Sequence, residues 1–160
     1  TRSADTDEEK VKLIHEYIVD TIRYDKALAS SELTDYLPDI DRTLSGKKGM
    51  CYDYASLFAS MLRSVDIPTK LVMGTTDYVD VYHAWNEVYL NGRWVTIDTT
   101  VDAGWKSKGA GFKMIKEASR YSAAKYYLNN FIAKTLSFGP LSKAYSGFYS
   151  ENIQNRALQC

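Results

Sequence analysis

Asn91-Gly92 is the most restrictive dipeptide in this chain. It separates two runs with strand character, Val81 to Leu90 and Arg93 to Thr99. A two-residue type I′ turn needs positive φ at both central positions, which Asn and Gly accept most readily, so the three segments read as one β-hairpin. The short loop sets the register: Leu90 faces Arg93, Tyr89 faces Trp94, and Trp85 faces Asp98. His83 lies two residues from Trp85 and shares its face. His83 and Asp98 are therefore diagonal neighbours, about 7 to 8 Å apart at the backbone, close enough for their side chains to meet. A bulge between residues 83 and 98 would break this relation.

The rest of the chain supplies partners for the hairpin. Thr6-Asp-Glu-Glu9 fits a capping box, and Val11, Ile14, Ile18 and Ile22 follow at helical spacing, so residues 6 to 23 are expected to form an amphipathic helix. Residues 24 to 48 read as a long connection with one short helix. From Cys51, the positions Ala55, Phe58, Leu62 and Val65 recur every three or four residues until Ile67-Pro68 stops the run, which puts a helix start at or beside Cys51. Lys70 to Met73 reads as another strand. Gly104, Gly109 and Gly111 mark a loop, residues 113 to 136 read as largely helical through Ala118, Tyr121, Ala124 and Leu128, and the last twenty residues show no clean period.

Composition narrows the class. At 160 residues, 45% hydrophobic and 25% charged, the chain is ordinary for one globular domain and long enough to build a core without metal or disulfide staples. Twenty basic and twenty acidic side chains leave no global field toward nucleic acid or an anionic membrane. The charge is uneven: residues 1 to 100 carry 17 acids and 11 bases, whereas residues 101 to 160 carry 3 acids and 9 bases. That basic tail is interleaved with aromatic residues; a structural role is the first expectation, and a rim for an acidic polymer or protein is the sharper one. No run of 18 apolar residues spans a bilayer. Because the chain begins at Thr1 rather than Met, a trimmed piece is expected, and with it a location outside the cell or in its envelope.

Two cysteines and two histidines, without CxxC or HExxH spacing, point away from zinc, and Asp35, Asp39 and Asp41 lack the Gly and terminal Glu of a calcium loop. His15 reads as a surface or boundary residue. Cys160 is terminal and free to pair with another chain if oxidised. Cys51 is the residue placed for reactivity, since unpaired amides and the positive end of the dipole at a helix start favour thiolate over thiol. Gly49 gives the entry turn its freedom, and the Cys51 amide is available to an oxyanion. Singly, a cysteine, a strand histidine and a strand-end aspartate each read as structural. Together, a helix-start Cys and a hairpin carrying His and Asp on one face form the arrangement in which Asp orients an imidazole that takes the thiol proton.

These residues sit in motifs that resemble the transglutaminase-like superfamily of thiol enzymes: Gly49-Met-Cys51-Tyr-Asp-Tyr54-Ala55, Arg63-Ser-Val-Asp-Ile67-Pro68, His83-Ala-Trp85-Asn-Glu87 and Trp94-Val-Thr-Ile-Asp98. The resemblance is dense over residues 49 to 100. It implies Cys51 as nucleophile, His83 as acid-base partner and Asp98 as orienting carboxylate. The implied fold is the papain-like α+β core, with the nucleophile helix packed on a small antiparallel sheet, and no cofactor is implied. Trp85 and Trp94 cover the core or wall the cleft on the triad face; with Tyr52 they are the expected substrate-binding aromatics. Two departures stand out. Asp98-Thr99-Thr100 replaces the usual Asp-Pro-Thr, and Arg42 to Met50 offers no obvious second oxyanion donor. Residues 101 to 160 match nothing in the pattern and are expected to influence substrate choice.

Two readings follow. One is acyl transfer on a protein or peptide amide through a thioester, resolved by water as a peptidase or amidase, or by an amine as a transglutaminase. Hydrolysis is slightly favoured because water is always present. The other is a binding module that keeps the fold without turnover.

Overall fold

The computed structural model describes residues 6–30 and 36–127. Thr6 starts the first helix, α1 (Asp7–Thr21): its hydroxyl accepts the Glu9 N–H at 3.2 Å, and its own N–H donates to the Glu9 carboxylate, the reciprocal box expected from the sequence. One stripe of α1 buries Val11, Ile14 and Ile18. The chain then makes a two-residue strand β1 (Arg23–Tyr24), two short helices α2 (Lys26–Ser30) and α3 (Ile40–Gly46), and a second short strand β2 (Lys48–Gly49), so the connection holds two helices where one was expected.

Helix α4 (Cys51–Arg63) begins at the cysteine and is buried on every side from Asp53 to Leu62. A helix buried on all sides belongs at the centre of a fold. Tyr54, Leu57, Phe58 and Leu62 pack with Ile14 and Ile18 of α1 on one side and with Val88, Leu90, Val95 and Ile97 of the sheet on the other. Each such fully buried side chain contributes about 1.5 to 3 kcal/mol relative to exposure.

The sheet is antiparallel throughout, in the order β6-β5-β4-β3-β7, from β3 (Thr69–Thr76), β4 (Val79–Leu90), β5 (Arg93–Ile97), β6 (Ile115–Lys116) and β7 (Tyr121–Tyr127). Asn91 and Gly92 have φ of 52° and 81°, and Leu90 pairs with Arg93 and Tyr89 with Trp94. The β4–β5 ladder runs without a bulge to Asn86 opposite Ile97, one step short of Trp85 and Asp98. The result is the α+β core with a helix packed on an antiparallel sheet.

Two further expectations fail. The glycine-marked loop after Thr100 is displaced, because helix α5 (Thr99–Ser107) continues through Gly104. Asp98 caps α5 by accepting the Val101 N–H at 3.2 Å, and a good cap offsets the roughly 1 kcal/mol cost of one exposed glycine. The segment read as helical from residue 113 is instead β6, a single 3-10 turn (Ala118–Arg120) and β7. Its Ala-rich stripe favours helix locally, but the open edge of β3 offers β7 a ladder of hydrogen bonds, and tertiary pairing overrides propensity. Residues 128 to 136 of that expectation, the rest of the basic tail and Cys160 lie outside the described residues, as does Asp35.

Candidate active site

The cysteine is aimed from behind. β1 and β2 pair in parallel, Arg23 with Lys48 and Tyr24 with Gly49, and the Asp25 N–H donates to the Gly49 carbonyl at 2.9 Å, so the end of α1 holds the two residues before Met50. The Tyr54 hydroxyl adds a bond to the Ile22 carbonyl at 2.6 Å. Asp53 folds back over the helix start, and its Oδ2 accepts the Met50 N–H at 2.9 Å. This explains the glycine at position 49: a Cβ there would lie 2.6 Å from the Asp53 Cβ. Asp53 is 1% exposed, and its other oxygen accepts the Tyr36 hydroxyl at 2.6 Å, which in turn accepts from Arg42 Nη2 at 2.8 Å. Burial pushes the Asp53 carboxyl up, against the downward pull of Tyr36, the Met50 N–H and Arg42.

Cys51, half-buried at the first position of α4, faces His83 from β4. His83 is 3% exposed, and its Nε2 lies 2.8 Å from Asp98 Oδ2. With Nε2 engaged by Asp98, Nδ1 is the ring nitrogen left available to Cys51. Burial lowers the affinity of this ring for a proton. Hydrogen bonds to Asp98 and Cys51, and the charges of both, outweigh burial and raise its pKa to about 10. The site as a whole therefore favours the imidazolium form. Asp98, fully buried, is shared: Oδ1 caps α5, while Oδ2 takes His83 and the Tyr121 hydroxyl, the latter at 3.0 Å.

Of the residues singled out in the sequence, Cys51, His83 and Asp98 are thus brought together. Tyr52 adjoins Cys51 on α4 and meets the Tyr36 ring edge-on at 6.4 Å. Trp85 is 2% exposed, stacked 6.1 Å from His83 and tilted against Tyr121 at 4.9 Å, so it backs the histidine rather than offering an open wall. Trp94, 38% exposed, sits at the hairpin end against Tyr89, with Lys70 Nζ 4.0 Å from its ring centre. It is four residues along β5 from Asp98, or about 13 Å.

Sequence reasoning missed Tyr36 and Arg42, which carry no local signal, and Tyr121, hidden by the helical stripe. It also misplaced His15, which is 3% exposed with Nε2 2.7 Å from Asp102 Oδ2. Asp102 also receives the Lys116 ammonium. This second histidine-carboxylate pair ties α1 to α5 and β6. The sequence carries no signal for this pair, because Gly104, Gly109 and Gly111 disguise the helix α5 that supplies Asp102.

Residues 1–99 match the family model of the transglutaminase-like superfamily. Kyphoscoliosis peptidase of Homo sapiens is 33% identical over 113 residues, a match covering 64% of this chain and 17% of that protein. A peptide-N(4)-(N-acetyl-beta-glucosaminyl)asparagine amidase of Caenorhabditis briggsae is 32% identical over 81 residues, 44% of this chain and 13% of the amidase. The chain therefore spans under a fifth of the length of these curated relatives. Among solved structures, Legionella pneumophila LapG shares the fold, with a TM-score of 0.57 over 90% of this chain and 80% of LapG at 13% identity.

Proposed function

Since the chain belongs to the transglutaminase-like superfamily, we propose that Cys51, His83 and Asp98 act as a catalytic triad for acyl transfer from an amide, with hydrolysis as the outcome. The observation that carries this reading is the position of His83, bridging Asp98 and Cys51 in a buried site that favours imidazolium. The sulfur of Cys51 attacks the amide carbonyl carbon, a C–S bond forms, and the π electrons move onto oxygen. The Cys51 N–H, which has no carbonyl four residues back inside α4, is the nearest backbone donor for that oxyanion. When the oxyanion collapses, the C–N bond breaks and the departing nitrogen takes a proton from His83. A thioester and a free amine result. Water then attacks the thioester and gives its proton to His83, and the C–S bond breaks to restore the thiolate and release the acid.

An amine in place of water would complete a transamidation through the same first step. The similarity to a peptidase and an amidase supports hydrolysis. Incubation with a peptide library, with and without a primary amine, tests this: mass analysis should show cleaved peptides in both samples. Amine-dependent adducts without cleavage would assign transamidation. Failure of both, with Cys51 alkylated by iodoacetamide no faster than Cys160, would leave the non-catalytic module as the reading.

A further inference from the structure

The family match ends at residue 99, yet a strand beyond it reaches the site. β7 pairs along β3, with Tyr121 opposite Thr76. The register shifts between Met73 and Gly74, where a Cβ would lie 2.0 Å from the Ser122 carbonyl oxygen. Only glycine lets β7 come this near, and the approach delivers Tyr121 onto Trp85, with its hydroxyl 3.0 Å from Asp98 Oδ2.

Resting on the acyl-transfer reading above, we propose that Tyr121 is a positioning residue of the site, fixing the Asp98 oxygen that orients His83. Asp98 is anchored at Oδ1 by the Val101 N–H at 3.2 Å, which alone would let the carboxylate turn about that contact. Tyr121 holds Oδ2 from a second direction, so both oxygens are tied and the plane of the carboxylate is set. His83 Nε2 reads that plane at 2.8 Å, and Trp85, packed against the rings of both Tyr121 and His83, limits the tilt of the imidazole. Burial first, then the Asp98 charge and hydrogen bond, pushes the Tyr121 phenol far above its ordinary range, so it is a donor at every working pH. The described part of the extension therefore completes a site whose other members lie in the matched core.

Tyr121→Phe in the full chain removes the donor and keeps the ring that packs on Trp85. The expected result is a kcat about 10- to 100-fold lower, the scale of a lost hydrogen bond to a charged group, with KM unchanged. The alkaline limb of Cys51 alkylation, followed by peptide mass, should move to lower pH, because a carboxylate free to turn holds the imidazolium less well. A 3-fluorotyrosine at 121 keeps shape and donor and should restore both. If Tyr121→Phe lowers the melting temperature so far that the comparison is confounded, the fluorotyrosine protein decides: activity and limb near wild type support the proposal, and a loss like that of Phe overturns it. A limb that stays in place or moves up, or a kcat within twofold of wild type, also overturns it. Wild-type protein with neither turnover nor selective Cys51 alkylation would defeat the acyl-transfer reading and this proposal together. Active wild type with an indifferent Tyr121→Phe would defeat this proposal alone.

Discussion

His83 and Asp98 lie fifteen residues apart in the chain and meet at 2.8 Å across the β4–β5 hairpin, through the one carboxylate oxygen that does not cap α5. Orientation and helix capping thus share a side chain, and the two roles separate experimentally.

Asp98→Asn keeps a good helix cap and removes the charge. The lost pairing with buried His83 should cost about 3 to 5 kcal/mol of stability, while the rate of acyl transfer falls about 100-fold or more. Asp98→Ala should lose the same activity and, in addition, about 0.5 to 2 kcal/mol of stability from the lost cap. Equal stability of the two variants in urea titrations would contradict the capping role.

The raised pKa of His83 sets a pH expectation. Its folded value of about 10 exceeds the ordinary 6.5, so the imidazolium proposed as the proton donor to the departing amine is present below the folded value and is lost as pH rises through it. The kcat/KM profile should show an alkaline limb near pH 10, with apparent values belonging to the coupled cysteine-histidine pair. A rate that already falls near pH 7 would mean that Asp98 and Cys51 do not hold the charge on His83.

Gly49→Ala brings a Cβ to 2.6 Å from the Asp53 Cβ and 3.1 Å from its Oδ2. Asp53 must move, and its bond to the Met50 N–H breaks. The expected cost is about 1 to 3 kcal/mol, with slower iodoacetamide labelling of Cys51 as the helix start shifts. Unchanged labelling in a destabilised protein would show that Asp53 braces the fold and not the cysteine.

The second pair gives the contrasting case. Asp102→Asn leaves His15 and the buried Lys116 ammonium without their carboxylate. Breaking such a buried network should cost about 3 to 5 kcal/mol. Turnover measured well below the melting temperature should stay at the wild-type level, since the pair joins α1, α5 and β6 and no described cysteine accompanies it. A large drop in kcat would link this cluster to the site.

Much of the core was legible because its signals are local. The Thr6 box, the apolar spacing after Cys51 and the Asn91-Gly92 turn each act within a few residues, and each formed as read. The errors cluster where a distant edge decided the outcome. Tyr121-Ser-Ala-Ala-Lys-Tyr-Tyr127 has helical spacing, yet it became a strand because β3 was open on that side. Gly104 looked like a loop marker until Asp98 capped a helix through it. His15 looked peripheral because its partner comes from a residue 87 positions away.

By itself the sequence determined the candidate residues for the chemistry and the pairing of the hairpin, since a two-residue turn and a period-two strand leave one register. Tertiary structure alone decided what surrounds them: that Trp85 backs the histidine, and that a tyrosine from the last described strand shares the aspartate. The physical reason is range. Turn geometry and helix caps are settled between neighbours in the chain, whereas a buried carboxylate collects its donors from whichever elements the packing brings within 3 Å.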